Sequence, residues 1–245
     1  MINLNTQLHN KANAEINACL DELNKIILGK SQQVQLALTA ILANGHLLVE
    51  DLPGMGKTTL AHALYKVLGL DYNRVQFTSD LLPSDLIGAS VFNAQTSSFS
   101  FHKGPVFSSI FLADELNRAT PKAQSALLEA MEEGQVSVDG ETYPLPKPFF
   151  VIATQNPQSQ SGTFPLPESQ LDRFMLRISL GYPDPEIERE ILTGIKGRAA
   201  LTDIKQIISK ENLLAIQAQV EEVNVSDTLL AVSYTHLTLP TKRIV

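Results

Sequence analysis

Several things are scarce in this chain, and each scarcity excludes something. Cys19 is its single cysteine, so no internal disulfide can form. No apolar run approaches the roughly 20 residues needed to span a bilayer, so membrane association would have to go through a partner. The opening stretch "MINLNTQLHN" has neither the basic start nor the apolar run of a secretory leader, and a cytoplasmic location is the expectation. Basic residues are outnumbered, with 19 Lys and Arg against 26 Asp and Glu and a net charge of −7. Without a basic excess there are few counterions to release, which argues against mainly electrostatic attachment to nucleic acid or an anionic membrane. There is no internal repeat. What is present, 44% hydrophobic and 18% charged residues over 245 positions, suits a soluble chain with one large core, or a medium core and a small second domain.

Periodicity orders the chain. Ile16, Cys19, Leu20, Leu23 and Ile27 recur at helical spacing and predict a helix over 13–28, with Cys19 as core filler rather than nucleophile. Ser31 can cap a second helix with Val34, Leu38, Ile41 and Leu42 on one face, closed by Asn44 and Gly45. "HLLVE" then has the form of a short buried strand, and a helix over 57–68 follows. Further strands are expected at "RVQFT", "SIFLA", "FFVIAT" and "MLRISL", separated by helical or loop segments. This alternation indicates an α/β fold with a mainly parallel sheet covered on both faces. Thr120, Pro121 and Gly134 mark a helix over 121–133. "SVFNAQTSSFSFHKG" and "GQVSVDGETYPL" interrupt the alternation and predict inserted β-hairpins, the second turning at Asp139-Gly140. Beyond Pro183 strand signals fade, and the residues to about 231 read as a small helical domain.

Three segments can carry chemistry. In "DLPGMGKTT", between a strand and a helix, Pro53, Gly54, Met55, Gly56, Lys57, Thr58 and Thr59 form a loop whose backbone N–H groups and helix N-terminus suit phosphate. Lys57 would add a full positive charge and Thr58 a hydroxyl for Mg²⁺. Asp51 stands where the G-x-x-x-x-G-K-[ST] pattern has its first glycine, and because a carboxylate aimed at phosphate would repel it, Asp51 is expected to turn away. In "SIFLADELNRA" a buried strand ends in Asp114 and Glu115. Paired carboxylates are costly in an interior, so they should lie at the open sheet edge, Asp114 towards Mg²⁺ and Glu115 towards an attacking water. In "ATQNP", Asn156 could hydrogen-bond that water or a γ-phosphate, although Asn-Pro is also a turn signal. Arg173 in "PLPESQLDRF" reads, on its own, as a surface ion-pair residue.

Taken in order, "EDLPGMGKTTLA", "FTSDLLPSDLIG", "FLADELNRATPKAQSALLEAMEEGQVSVDG", "PFFVIATQNP" and "FPLPESQLDRFMLRISLGYP" resemble the MoxR group of AAA+ ATPases over 29–182, with a weaker continuation to about 230. The resemblance implies a three-layer αβα domain over 1–183 and a partial helical lid over 184–231. It also implies rings, commonly hexamers, that bind ATP and Mg²⁺ at subunit interfaces. By that likeness Lys57 and Thr58 belong to Walker A, Asp114 and Glu115 to Walker B, and Asn156 is sensor 1. Arg173 matches the arginine finger that enters a neighbour's site, with Arg118 a second candidate at the same interface. The hairpins correspond to the helix-2 insert and the pre-sensor-1 hairpin, and Ile27 to Gly29 would lie against adenine. The implied role is ATP hydrolysis coupled to chaperone-like remodelling of protein complexes, with von Willebrand factor A domain proteins as partners. Two alternatives compete with it: a nucleic-acid motor, which the acidic balance disfavours, and a scaffold that binds ATP without turnover.

The lid departs from the family pattern, because no "SPR"-like block supplies a second-sensor arginine. From Val232, "VSYTHLTLPTKRIV" lacks helical periodicity and resembles translated adapter sequence, so 232–245 is expected to be a non-native tail on a truncated lid.

Overall fold

The computed structural model of the protein describes residues 2–238 apart from 96, 158–161, 184 and 193–203. Its strands are β1 (His46–Glu50), β2 (Tyr72–Gln76), β3 (Gly88–Asn93), β4 (Ser98–Lys103), β5 (Ile110–Asp114), β6 (Gln135–Val138), β7 (Glu141–Pro144), β8 (Phe150–Gln155) and β9 (Phe174–Ile178). Five of them form one sheet in the order β2-β5-β8-β1-β9. Every neighbouring pair in it is parallel. The expected strands lie within about two residues of the observed ones. "HLLVE" coincides with β1, while "RVQFT" is displaced because pairing with β5 starts at Tyr72.

Both faces of this sheet are covered, and side-chain alternation divides the core accordingly. Leu47, Val49, Leu112 and Ile152 point into one apolar layer, and Leu48, Phe111, Ala113 and Val151 into the other. The first layer is closed by α1 (Ile2–Ile26), α2 (Ser31–Leu42) and α3 (Lys57–Val67). The second is closed by α4 (Pro83–Ile87) and α5 (Pro121–Glu133). The result is a three-layer αβα domain. Each buried Leu, Ile or Phe contributes about 1.5–3 kcal/mol relative to exposure, so this alternation dominates the stability of the sheet. Cys19 is fully buried in the first layer, and desolvation, followed by the charge of Glu15, pushes its thiol up to about 12, as befits core filler.

Local signals set the remaining boundaries. The hydroxyl of Thr120 accepts from the Ala123 N–H at 3.5 Å, Pro121 opens α5, and Gly134 closes it at φ 62°. The expected hairpins form two separate two-stranded sheets, β3 with β4 and β6 with β7. Asp139 and Gly140 turn the second with φ of 53° and 82°, as a type I′ turn requires. α1 extends further towards the N-terminus than the apolar spacing indicated. The short α6 (Glu168–Leu171) lies just upstream of β9, and after that strand come α7 (Pro185–Leu192), α8 (Lys210–Glu221) and α9 (Asp227–Thr238). α8 docks on the first layer: Leu213 and Ile216 enter that core, and Gln217 donates to the Ile41 carbonyl at 2.7 Å. α9 is capped by Ser226, whose hydroxyl accepts from the Leu229 N–H at 3.3 Å. It runs to Thr238, beyond the point where apolar periodicity stops, because no glycine or proline interrupts the chain before Pro240. Residues 239–245 of the expected tail lie outside the described residues.

His46 makes the lower edge of the sheet pH-sensitive. Its Nδ1 accepts from the Val151 N–H at 3.1 Å, so the proton sits on Nε2 and is donated to the Met131 carbonyl at 3.2 Å. Protonating Nδ1 would turn an acceptor against a donor. Burial holds the imidazole below its ordinary value, with the Met131 bond opposing. The unfolded chain therefore binds this proton first as pH falls, and stability drops from about pH 6.5 downwards until the folded-state value is reached. Urea melts at pH 7.5 and 5.5 should show a smaller acid-induced loss for His46→Gln than for the wild type.

Candidate functional site

Because the central strands are parallel, β1, β5 and β8 all end at one edge of the sheet, and the polar residues after them meet there. The loop after β1 is tied to β8 by the Asp51 N–H donating to the Gln155 carbonyl at 3.0 Å. Gly54 and Gly56 hold φ of 84° and 89°, which L side chains rarely adopt. A side chain at either would meet nothing within 4 Å among the described residues, which leaves space over the loop. Helix α3 starts at Lys57 with no side-chain cap, which leaves its first-turn N–H groups and positive dipole end directed at that space. Pro53, Gly54, Gly56, Lys57, Thr58, Thr59, Arg74, Gln76, Asp114 and Glu115 line a single open cavity of about 360 Å³. Met55 belongs to the loop but packs against the first apolar layer.

Asp51 turns away from this cavity. One carboxylate oxygen accepts from the Leu52 N–H at 3.0 Å, and the other from the Gly181 N–H at 2.7 Å and the Ser179 hydroxyl at 3.3 Å. The residue in the place of the pattern's first glycine thus ties the loop to the segment after β9. Its carbonyl accepts from Lys57 Nζ at 2.7 Å. Burial draws the Lys57 ammonium below its ordinary value, against the opposing charges of Asp114, Asp51 and Glu115.

Across the cavity, Asp114 and Glu115 are organised through Thr154, a fully buried residue of β8. Its hydroxyl donates to Asp114 Oδ1 at 2.6 Å and accepts from the Glu115 N–H at 2.8 Å. Arg74 of β2 donates to Asp114 Oδ2 from Nη2 at 2.7 Å and from Nε at 3.3 Å. Glu115 adopts φ 56° and ψ 49°, a left-handed conformation that costs a non-glycine residue about 1–3 kcal/mol and that concentrates at functional sites. Its Oε2 accepts from Arg118 Nη1 at 2.9 Å. A smaller recess is lined by Glu115, Asn117, Arg118 and Asn156, where Asn117 Nδ2 donates to the Asn156 carbonyl at 3.4 Å. Among the described residues, the buried Asn117 Oδ1 has no hydrogen-bond partner.

Of the residues singled out by sequence, the loop, Asp114 and Glu115 converge on the cavity, and Asn156 lies beside Glu115 in the recess. Arg173 does not join them; it pairs through Nε and Nη2 with Glu132 at the end of α5. Ile27 is buried in the first apolar layer, and Gly29 lies by α7, where a side chain on it would approach Ile187 Cγ1 at 3.1 Å. Sequence reasoning missed Arg74, Thr154 and Asn117. The available signals were a lone arginine within a strand and a hydroxyl closing the apolar run "FFVIAT".

The donor set can be tested against a metal. Among the described residues no cluster of three or more His, Cys, Asp or Glu could hold an ion unaided. One carboxylate, Asp114, and one hydroxyl, Thr58, stand beside an open anion-suited loop, which fits Mg²⁺ entering with phosphate ligands of its own.

The sheet, the glycine loop leading into an uncapped helix, and the acidic pair at the end of β5 define the nucleotide-binding αβα class of AAA+ ATPases. The model of the family described as "ATPase family associated with various cellular activities (AAA)" matches residues 46–176. Chaperone MoxR1 of Mycobacterium tuberculosis is 46% identical over 198 residues, covering 80% of this chain and 52% of that protein. YeaC of Bacillus subtilis, whose name assigns no activity, is 47% identical over 210 residues, covering 86% of this chain and 66% of its own length. A crystal structure of a candidate ATPase from Cytophaga hutchinsonii superposes with a TM-score of 0.82 at 43% identity, covering 93% of this chain and 68% of that one. The chain belongs to the AAA family and, within it, to the MoxR group of AAA+ ATPases. It spans about half to two thirds of the length of the curated relatives it matches.

Removing the Asp51 carboxylate leaves the Gly181 N–H and the Ser179 hydroxyl short of an acceptor. Asp51→Ala should lose about 1–3 kcal/mol in chemical denaturation, and Asp51→Asn less, because it retains one acceptor oxygen.

Proposed function

We propose that this protein binds ATP with Mg²⁺ and hydrolyses it, using the turnover to remodel or mature partner protein complexes. The observation that carries the reading is the shared cavity: an open phosphate loop on an uncapped helix faces the Asp114–Glu115 pair. Backbone N–H groups from Gly54 to Thr59, in the loop that Pro53 opens, would surround the phosphates, and Lys57 would exchange the Asp51 carbonyl for a phosphate oxygen. Thr58 and Asp114 would hold Mg²⁺, which when bound neutralises phosphate charge.

Glu115 is the proposed general base. It takes the proton of the water whose oxygen bonds the γ-phosphorus as the bond to the β-phosphate oxygen breaks. Thr154 fixes its backbone and Arg118 its carboxylate, so the base is aimed before substrate arrives. Asn156, beside it in the recess, positions the water or the γ-phosphate. Arg173 lies outside this chain's own cavity, in keeping with action in a neighbouring subunit of a ring, taken to be a hexamer. Residues 184–231 would act as the lid over the nucleotide.

The name of the Mycobacterium tuberculosis relative, Chaperone MoxR1, supports a chaperone-like role, and von Willebrand factor A domain proteins are the proposed partners. A cytoplasmic setting is part of the proposal; separately, no described helix is long and apolar enough to cross a membrane.

Three variants test the assignment in the assembled protein. Lys57→Ala should abolish binding of a fluorescent ATP analogue. Glu115→Gln should retain binding while phosphate release falls by about 10²-fold or more; unchanged turnover would remove Glu115 as base. Arg173→Ala should lower turnover by about 10³-fold or more with binding preserved, and mixing it with Lys57→Ala subunits should restore part of the rate, as expected only if the arginine acts in trans.

A further inference from the structure

The magnesium carboxylate proposed above is already occupied by a cation belonging to the chain itself. Asp114 Oδ2 takes both Nη2 and Nε of Arg74, and Oδ1 takes the Thr154 hydroxyl. A carboxylate offers about four lone-pair sites, so these three bonds leave little free capacity for a metal or its water shell. Arg74 cannot yield by losing its proton, because a guanidinium stays charged throughout the accessible pH range. It can yield only by moving.

Its position allows that. Arg74 and Gln76 lie on the same face of β2, and Gln76 is in register with Asp114, so Arg74 reaches diagonally across the β2–β5 pair. The Arg74 side chain is 45% exposed, whereas that of Asp114 is 11% exposed, so the arginine is the partner with room to swing. It also lines the same cavity as Gly54, Gly56 and Lys57. A triphosphate arriving there would offer the guanidinium a new anion as a divalent ion claims Asp114. Gln76 Oε1, which accepts from Arg74 Nη2 at 3.2 Å, lies on the cavity wall and can steady the arginine.

We propose that Arg74 is a placeholder cation: it neutralises and orients Asp114 in the nucleotide-free site and competes with Mg²⁺ for that carboxylate until the metal–nucleotide complex displaces it onto phosphate. Arg74 is thus a positioning residue that sets how much Mg²⁺ the site needs. The inference rests on the Mg²⁺–ATP reading above.

The test is equilibrium binding of a methylanthraniloyl-labelled, non-hydrolysable ATP analogue across a Mg²⁺ titration, for the wild type, Arg74→Met and Arg74→Lys. With the competitor removed, the Mg²⁺ concentration at half-maximal tightening should fall about fivefold or more in Arg74→Met. In Arg74→Lys, which keeps a point charge but not the fork, it should fall about twofold. An unchanged or higher midpoint in Arg74→Met overturns the proposal. Thermal melts supply a second readout: Arg74→Met should melt lower than the wild type without ligand, and saturating Mg²⁺ and analogue should close most of that gap. A gap that persists at saturation indicates a purely structural arginine and also overturns it. If Arg74→Met does not fold, Arg74→Lys carries the test, and an unshifted midpoint there is decisive against the proposal. Wild-type protein whose analogue binding ignores Mg²⁺ would overturn the nucleotide reading itself, whereas a Mg²⁺-dependent wild type with unshifted variants overturns only the role of Arg74.

Discussion

The parallel pairing of β5 and β8, with β1 on the far side of β8, is the constraint on which the site depends. Parallel strands buried on both faces have no solvated side, so their polar residues collect where they end, and these three end together. That shared edge places the glycine loop after β1, the acidic pair after β5 and Asn156 after β8 around adjoining cavities. Thr154 then fixes the distances. One buried hydroxyl, bonded at once to the Asp114 carboxylate and the Glu115 N–H, sets the geometry of both acids and accommodates the left-handed turn at Glu115.

Charge balance explains how so acidic an edge is accommodated. Lys57 and Arg74 face Asp114 and Glu115, and these carboxylates and that of Asp51 each have donors of their own. Asp51 is held by backbone and hydroxyl donors after β9, Asp114 by Arg74, and Glu115 by Arg118. Buried or half-buried charges are tolerated when they are paired and hydrogen-bonded, and each pairing here also aims a group. Arg173 follows the same rule at a different place, where Glu132 supplies its counter-charge.

Much of this was legible in the sequence. The period-two and helical patterns indicated the order of strands and helices, and Thr120, Pro121 and Gly134 marked α5 at both ends, because capping chemistry is local. The turn of the second hairpin was legible at Asp139-Gly140 for the same reason. Asp51 was expected to avoid phosphate from charge alone, but the donors that hold it, at Ser179 and Gly181, lie far along the chain and no local pattern links them. The start of α1 was misjudged because a helix can run past its own apolar stripe, and the end of α9 because absence of periodicity does not break a helix that no glycine or proline interrupts.

The sequence by itself determined the αβα class, the phosphate-suited loop, the acidic strand end and the MoxR likeness, since each is written in contiguous residues whose spacing carries the chemistry. Only the tertiary structure decided which side chains stand between those segments. Arg74, Thr154 and Asn117 are unremarkable in their own stretches, and they reach the site because strand register sets residues about 40 positions apart in the chain against one another. Long-range pairing of that kind depends on how the whole sheet packs, and no local propensity encodes it.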